Sequence, residues 1–293
     1  MKRVFGRDTV VKIGLIAVTL LSTAIVVSVL GLRFPVRDVV RPLGLTALLG
    51  GVAAYYQVRG VREFVSCLGS LAYLVVFCAS FVVLMYALAA AGRPLFDDQL
   101  LRVDRSLGFQ LPEFLAWVRA LPTLNRFLEI TYDTLLPQTI LVIAVLGFRG
   151  DNQPLQRFVL RFMACALVTV ALFYFFPALG PFATEGYSPT GSQTRVLQHL
   201  QAMRTGERTL VTWREAEGLI AFPSFHTIWA ILMALAYRRR PVLFAVFGTL
   251  NVVVIVSTLT TGWHYLSDLI GGIVVCLFVL ASLRPLEKWV YAS

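Results

Sequence analysis

Long uncharged stretches set the frame of this chain. Ile13 to Leu32 runs for 20 residues without a charge, enough to cross a bilayer core and more than a signal-peptide core needs; no convincing cleavage site follows, so it reads as a retained first helix. Leu43 to Val58 is a shorter second span between Arg41 and Arg59, and Phe64 to Gly92 a long third. From Arg93 to Leu121 charges mix with Phe96, Leu100, Leu101, Leu107, Phe109, Leu111, Phe114 and Trp117, a pattern too polar to span and too apolar for a free loop. It predicts one or two short helices lying in the membrane interface. Further spans are expected at Leu124–Phe148, Phe162–Leu179, Leu219–Tyr237, Pro241–Leu259 and His264–Leu283. The fifth is closed by Gly180-Pro181 and followed by 37 residues, Phe182 to Gly218, where Arg195, Arg204, Arg208 and Arg214 stand among Glu185, Glu207, Glu215 and Glu217. A stretch that long without obvious structure reads as a lid or binding loop.

Composition agrees with this frame. Hydrophobic residues make up 58% of the chain and charged residues 14%, which excludes an ordinary soluble domain and predicts an all-α integral membrane protein of about eight transmembrane helices. The net charge of +10 is not spread evenly. With the N-terminus on the cytoplasmic side, the inner segments hold fourteen of the 26 Lys and Arg but only four of the 16 Asp and Glu, so the whole excess lies on one side. Both termini are then cytoplasmic in a cell or inner membrane, and the pattern is that of a membrane protein and not of a nucleic-acid-binding face. Cys67, Cys78, Cys165 and Cys276 all sit in apolar runs without ligand spacing and read as small core residues, as Gly271 and Gly272 read as helix-packing positions.

The candidate chemistry lies at two helix starts. Of three histidines, two fall in Phe222-Pro223-Ser224-Phe225-His226-Thr227 and in Thr261-Gly262-Trp263-His264-Tyr265-Leu266-Ser267-Asp268. Pro223 cannot continue a helix from behind and Ser224 is a good N-cap, so His226 belongs to a first helical turn, where free N–H groups and the helix dipole favour an anion such as phosphate. His264 and Asp268 stand four residues apart, so on a helix the carboxylate can hold one ring nitrogen and leave the other nucleophilic. In the predicted topology both histidines start from the outer, periplasmic side. Trp263 and Tyr265 read as interface aromatics.

These runs resemble the second and third signatures of the type 2 phosphatidic acid phosphatase superfamily, P-S-G-H and S-R-x5-H-x3-D. Here they read Pro223-Ser224-Phe225-His226 and Ser257-Thr258, five residues, His264, three residues, Asp268. Phe225 replaces the glycine, Thr258 replaces the phosphate-holding arginine, and the first signature, K-x6-R-P, is absent. The Phe-Pro-Ser-Phe-His and Trp-His-Tyr runs look more like the divergent branch that includes inositol phosphorylceramide synthases. The resemblance implies a six-helix phosphatase-like core at 63–293, preceded by a two-helix extension at 1–62. It also implies phosphoryl transfer in two steps, with His264 as nucleophile, Asp268 orienting it and His226 as acid and base, and with no cofactor.

The remaining candidates follow from the missing cations. Arg126, Glu129 and Asp133 recur at spacings of three and four and are expected on one face turned into the bundle, either as an ion-pair network or as a substrate contact. Arg126 is the favoured phosphate clamp, Arg214 a lid contact, and Arg102 or Arg105 come next; Ser224 joins the phosphate site. Zinc on His226, His264 and Asp268 is a weaker reading because no further ligand is marked. Expected partners are a lipid phosphate or phospholipid and a lipid hydroxyl acceptor within the membrane. A lipid phosphotransferase, a phosphatase with water as acceptor, and a lipid-binding or transport protein with a degenerate site stay open.

Overall fold

The computed structural model describes residues 6–184, 187, 189–210 and 218–292. Twelve α-helices are defined among these residues. Helices α1 (Arg7–Leu30), α2 (Val36–Val58) and α3 (Arg62–Ala90) come first; α2 packs on α3 and faces outward elsewhere, while α1 packs on α3 and α8 (Asn152–Phe175). The segment expected in the interface forms two short helices, α4 (Asp97–Ser106) and α5 (Leu111–Arg119). Then follow α6 (Pro122–Tyr132), α7 (Leu135–Phe148), α8, a 3-10 turn η1 (Pro181–Ala183), α9 (Gly191–Arg204), α10 (Phe225–Ala236), α11 (Pro241–Thr260) and α12 (Leu266–Val290).

Six of these helices are long and apolar enough to cross a membrane, and a seventh crossing is present if the bent pair α6 and α7 is one span. The protein is therefore an integral membrane protein. The expected span at Leu219–Tyr237 is helical only over the 12 residues of α10, about 18 Å of a roughly 30 Å hydrocarbon core. Leu219 to Ser224 approach α10 as non-helical chain, tolerable at membrane depth because this backbone is enclosed by protein and bonded. Ala221 N–H donates to Ala178 O (3.2 Å), and Ser224 N–H to Asp268 O (3.0 Å).

Two expectations are corrected. The fourth span bends by 49° between α6 and α7. Pro137 has no N–H to return to the Asp133 carbonyl, and the Thr131 and Thr134 hydroxyls bond back to Phe127 O and Thr131 O, loosening the same turns. Arg126 and Glu129 do not turn into the bundle: their side chains are 73% and 44% exposed and paired with each other. The stretch from 182 to 218 is not structureless either. Thr190 and Gln193 form a capping box at the start of α9, whose Val196, Leu200 and Met203 are buried, and Arg204 Nε reaches Ala89 O on α3 (3.1 Å).

The start of α1 and the end of α12 lie together at one end of the bundle. Arg7 donates to Trp289 O and the Tyr291 hydroxyl to Asp8, each at 2.7 Å. Helix α10 stands at the centre, packed against α7, α8, α11 and α12. Its crossing with α12 depends on Gly272, where an added Cβ would lie 2.6 Å from Ser224 O and 3.1 Å from Thr227 Cβ. The expected packing role of this glycine is thus the close approach of the two helix starts that carry the histidines. Cys165 and Cys276 are buried, as core residues should be.

Candidate active site

Ser224 caps α10 through its side chain, accepting from Thr227 N–H at 3.3 Å, and so places His226 in the first turn. Phe225 fills an aromatic cluster with Phe81, Phe162 and Trp229, which occupies the space beside the turn where the resembling signature has glycine. His264 ends the connection from α11 to α12. Its backbone is held by two clamps that composition does not advertise. Gly180, at φ 112°, lets the corner after α8 pass so close to Trp263 that a Cβ there would be 2.4 Å from Trp263 O. Asp104 of α4, fully buried, accepts from Leu266 N–H and Ser267 N–H, both at 2.8 Å, and caps α12.

The two rings meet with His264 Nε2 3.3 Å from His226 Nδ1. Their proton positions follow from one carbonyl. His264 Nδ1 is 3.1 Å from Ala221 O, which can only accept, so Nδ1 carries the proton; the Asp268 carboxylate lies behind it at 3.4 Å. The His264 Nε2 lone pair then faces His226, so His226 Nδ1–H donates to it. His226 Nε2 is left to accept from the Tyr132 hydroxyl at 3.1 Å. Ser224 Oγ lies 3.4 Å from the same His264 nitrogen. Asp268 Oδ2 also accepts from Tyr265 N–H at 2.8 Å.

Burial pushes His264 down to about 4, partly opposed by its bond to Ala221 O, so it is a neutral imidazole at physiological pH. Because the unfolded histidine takes up its proton near 6.5, this burial contributes stability above that pH and loses it as pH falls towards 4. Asp97 of α4 acts oppositely: burial lifts it to about 6 against the opposing N–H bonds from Gly180 and Leu179, so its contribution is lost as pH rises from its ordinary value through 6.

A cavity of about 380 Å³ opens at the histidine pair, lined by Tyr132, Asp133, Ser192, Trp263, His226 and His264 together with Leu179 and the chain at Gly218, Ile220 and Ala221. No Arg or Lys is among these described lining residues. The first turns of α9 and α10 both reach the cavity, through Ser192 and His226, and bring two positive helix-dipole ends to it.

The structure thus brings His226, His264, Asp268 and Ser224 together and places Asp133 at the same cavity. Arg126 and Glu129 lie outside its lining, on the exposed part of α6. Thr258 is buried and bonded to Ile255 O (2.7 Å), so it offers the cavity nothing. Arg214 lies outside the described residues. Tyr265 is fully buried and not an interface aromatic, and Trp263 packs edge-on against Phe182 while lining the cavity.

Sequence reasoning missed Tyr132, Asp97 and Asp104. The two aspartates had a signal: Asp97, Leu100 and Asp104 fall at i, i+3 and i+7 and form the buried stripe of α4, so acids occupy positions where the helical period calls for apolar residues.

The model of the PAP2 superfamily matches residues 98–282, more than half of the chain and all of the site. The chain belongs to the PAP2 superfamily. This membership accords with a phosphatase-type enzyme acting on lipid phosphate in a membrane. No curated protein and no solved structure matches the chain.

Tyr132→Phe keeps the ring stacked on His226, 5.0 Å between centroids, and removes only the hydroxyl. The expected result is a drop in kcat of about tenfold, one lost hydrogen bond to His226, with little change in KM. An unchanged kcat would show that Tyr132 does not position His226.

Proposed function

We propose that this PAP2 superfamily member is a membrane-embedded lipid phosphotransferase working through a phosphohistidine. The observation that carries the reading is the 3.3 Å approach of His264 Nε2 and His226 Nδ1, with Asp268 behind the first ring, at the edge of a cavity. His264 Nε2 attacks phosphorus, and the bond to the leaving oxygen breaks as His226 delivers a proton to it. An acceptor hydroxyl then attacks the phosphohistidine, gives its proton to His226, and releases His264. With both imidazoles neutral, an arriving phosphate anion raises the proton affinity of His226, which takes a proton from solvent and so supplies the acid for the first step.

The helix starts of α9 and α10 hold the phosphate in place of the missing family cations. Asp133 favours the transferase and a hydroxyl-bearing acceptor or head group: a carboxylate beside the cavity repels phosphate but accepts hydrogen bonds from hydroxyls. The resemblance of the Trp-His-Tyr and Phe-Pro-Ser-Phe-His runs to the inositol phosphorylceramide synthase-like branch supports the transferase reading. The alternative is a lipid phosphate phosphatase, which the superfamily accommodates with the same two histidines and water as acceptor.

Purified protein incubated with lipid phosphates and phosphodiesters, with and without ceramide or diacylglycerol, separates these readings. A new phospholipid that requires the acceptor is the expected product. Free phosphate formed equally well without acceptor would make it a hydrolase.

The charge asymmetry supports a site on the outer face. Gln201→Cys on α9 is then expected to react with an impermeant thiol reagent in intact cells, and Arg239→Cys is not; the reverse pattern would place the histidines on the cytoplasmic side.

A further inference from the structure

At the end of the bundle opposite the histidines, a second cavity of about 380 Å³ is lined by Arg157, Arg161, Arg238, Arg284, Lys288 and a single acid, Glu287. The spacing is helical on both walls: Arg157 and Arg161 are one turn apart on α8, and Arg284 and Lys288 one turn apart on α12. Glu287 is already engaged. It is buried and bidentate with Arg161 at 2.6 and 2.8 Å, with Arg157 Nε 3.6 Å away, so four positive charges of the lining remain without a counter-ion there. Arg239 adds another beside it, lining an adjoining hollow with Arg157, Arg161 and Arg238. Burial, then repulsion from Arg161, Arg157 and Arg239, lowers the Arg238 guanidinium below its ordinary value. A bias of basic residues at one membrane face requires arginines at helix ends, but not their convergence on one hollow.

We infer that this cavity binds the phosphate head group of an anionic membrane phospholipid, at a site separate from the catalytic one. Two features favour a lipid over free phosphate. The remaining lining is Leu235 and Leu280, and beside Leu280 the outer surface of α12 continues with exposed Val274, Leu277 and Phe278, a track for acyl chains. The rim cations Arg238, Arg284 and Lys288 are exposed, while Arg157 and Arg161 form a half-buried floor, the arrangement of a head-group pocket between helices. Leu235 stands nine residues beyond His226 on α10, about 13 Å along the axis, so a head group held here is separate from the histidines.

The test is thermal unfolding of the full chain in a neutral detergent with added phosphatidylglycerol, phosphatidylcholine or sodium phosphate. Phosphatidylglycerol is expected to raise Tm by about 3 °C or more, and the other two are not. The combined variant Arg238→Gln, Arg284→Gln, Lys288→Gln spares the Glu287 pairing and is expected to keep the lipid-free Tm and basal turnover while losing the shift. An equal shift with phosphatidylcholine, an equal shift with sodium phosphate, or an undiminished shift in the combined variant would each overturn the assignment. If the combined variant unfolds, Lys288→Gln alone is expected to weaken the dependence on lipid concentration at least threefold, and an unaltered titration curve overturns the proposal.

Discussion

His264→Ala is expected to abolish turnover, a loss on the order of 10⁴-fold, and with it any acid-labile phosphoenzyme. The reason is geometric: His264 lines the cavity and Nε2 is its unprotonated nitrogen, since Ala221 O holds the proton on Nδ1. Asp268→Asn should cost less, about 10²-fold, because the Ala221 carbonyl still selects the tautomer and only the charge that steadies the forming cation is lost. His226→Ala should let label accumulate on His264 where an activated leaving group makes the first step independent of the acid. These outcomes are read by trapping enzyme with radiolabelled lipid phosphate and comparing acid-labile and base-stable label. Label persisting on the His264→Ala protein would remove His264 from the nucleophile's role. Across pH, kcat/KM should stay level down to about pH 5 and fall with an apparent pKa near 4, following the depressed His264.

The second large effect lies away from the chemistry. Asp104→Ala is expected to destabilise the protein by about 3 kcal/mol, because it strips the acceptor from two backbone N–H groups at the buried start of α12. Asp104→Asn should fall between, since an amide oxygen can serve one of the two donors. In thermal unfolding the alanine variant should lose roughly 6–12 °C. Activity should fall with it, for the same turn fixes His264 and Asp268. An alanine variant with wild-type Tm would mean that water or relaxation replaces the carboxylate, and that α4 does not position the site.

Why one aspartate of the short helix α4 carries so much weight lies in the way the site is assembled. The histidines sit on the first turn of α10 and on the connection leading into α12, and neither position is rigid by itself. Gly272 allows the two helix starts to touch, Gly180 allows the corner after α8 to brace Trp263, and α4 closes the arrangement from outside through Asp97 and Asp104. The family's cations are missing from the described cavity lining, so position and helix dipoles have more of the electrostatic task.

What the chain determines alone is what a few neighbouring residues can decide. Uncharged runs place the membrane helices, Pro223-Ser224 starts α10 at His226, and the four-residue step from His264 to Asp268 pairs them, since caps and helical periods act within a turn or two. The box Thr190 to Gln193 was equally local and marks α9 inside the stretch expected to be a loop. Tertiary packing alone decided the rest: the contacts of His226 with His264, Tyr132 with His226 and Asp104 with Leu266 join residues 38, 94 and 162 positions apart. Whether such side chains meet depends on where a helix bends, as at Pro137, and on how closely two helices cross, as at Gly272. Those distances are set by the packing of the whole bundle, and hydrophobic periodicity does not encode them.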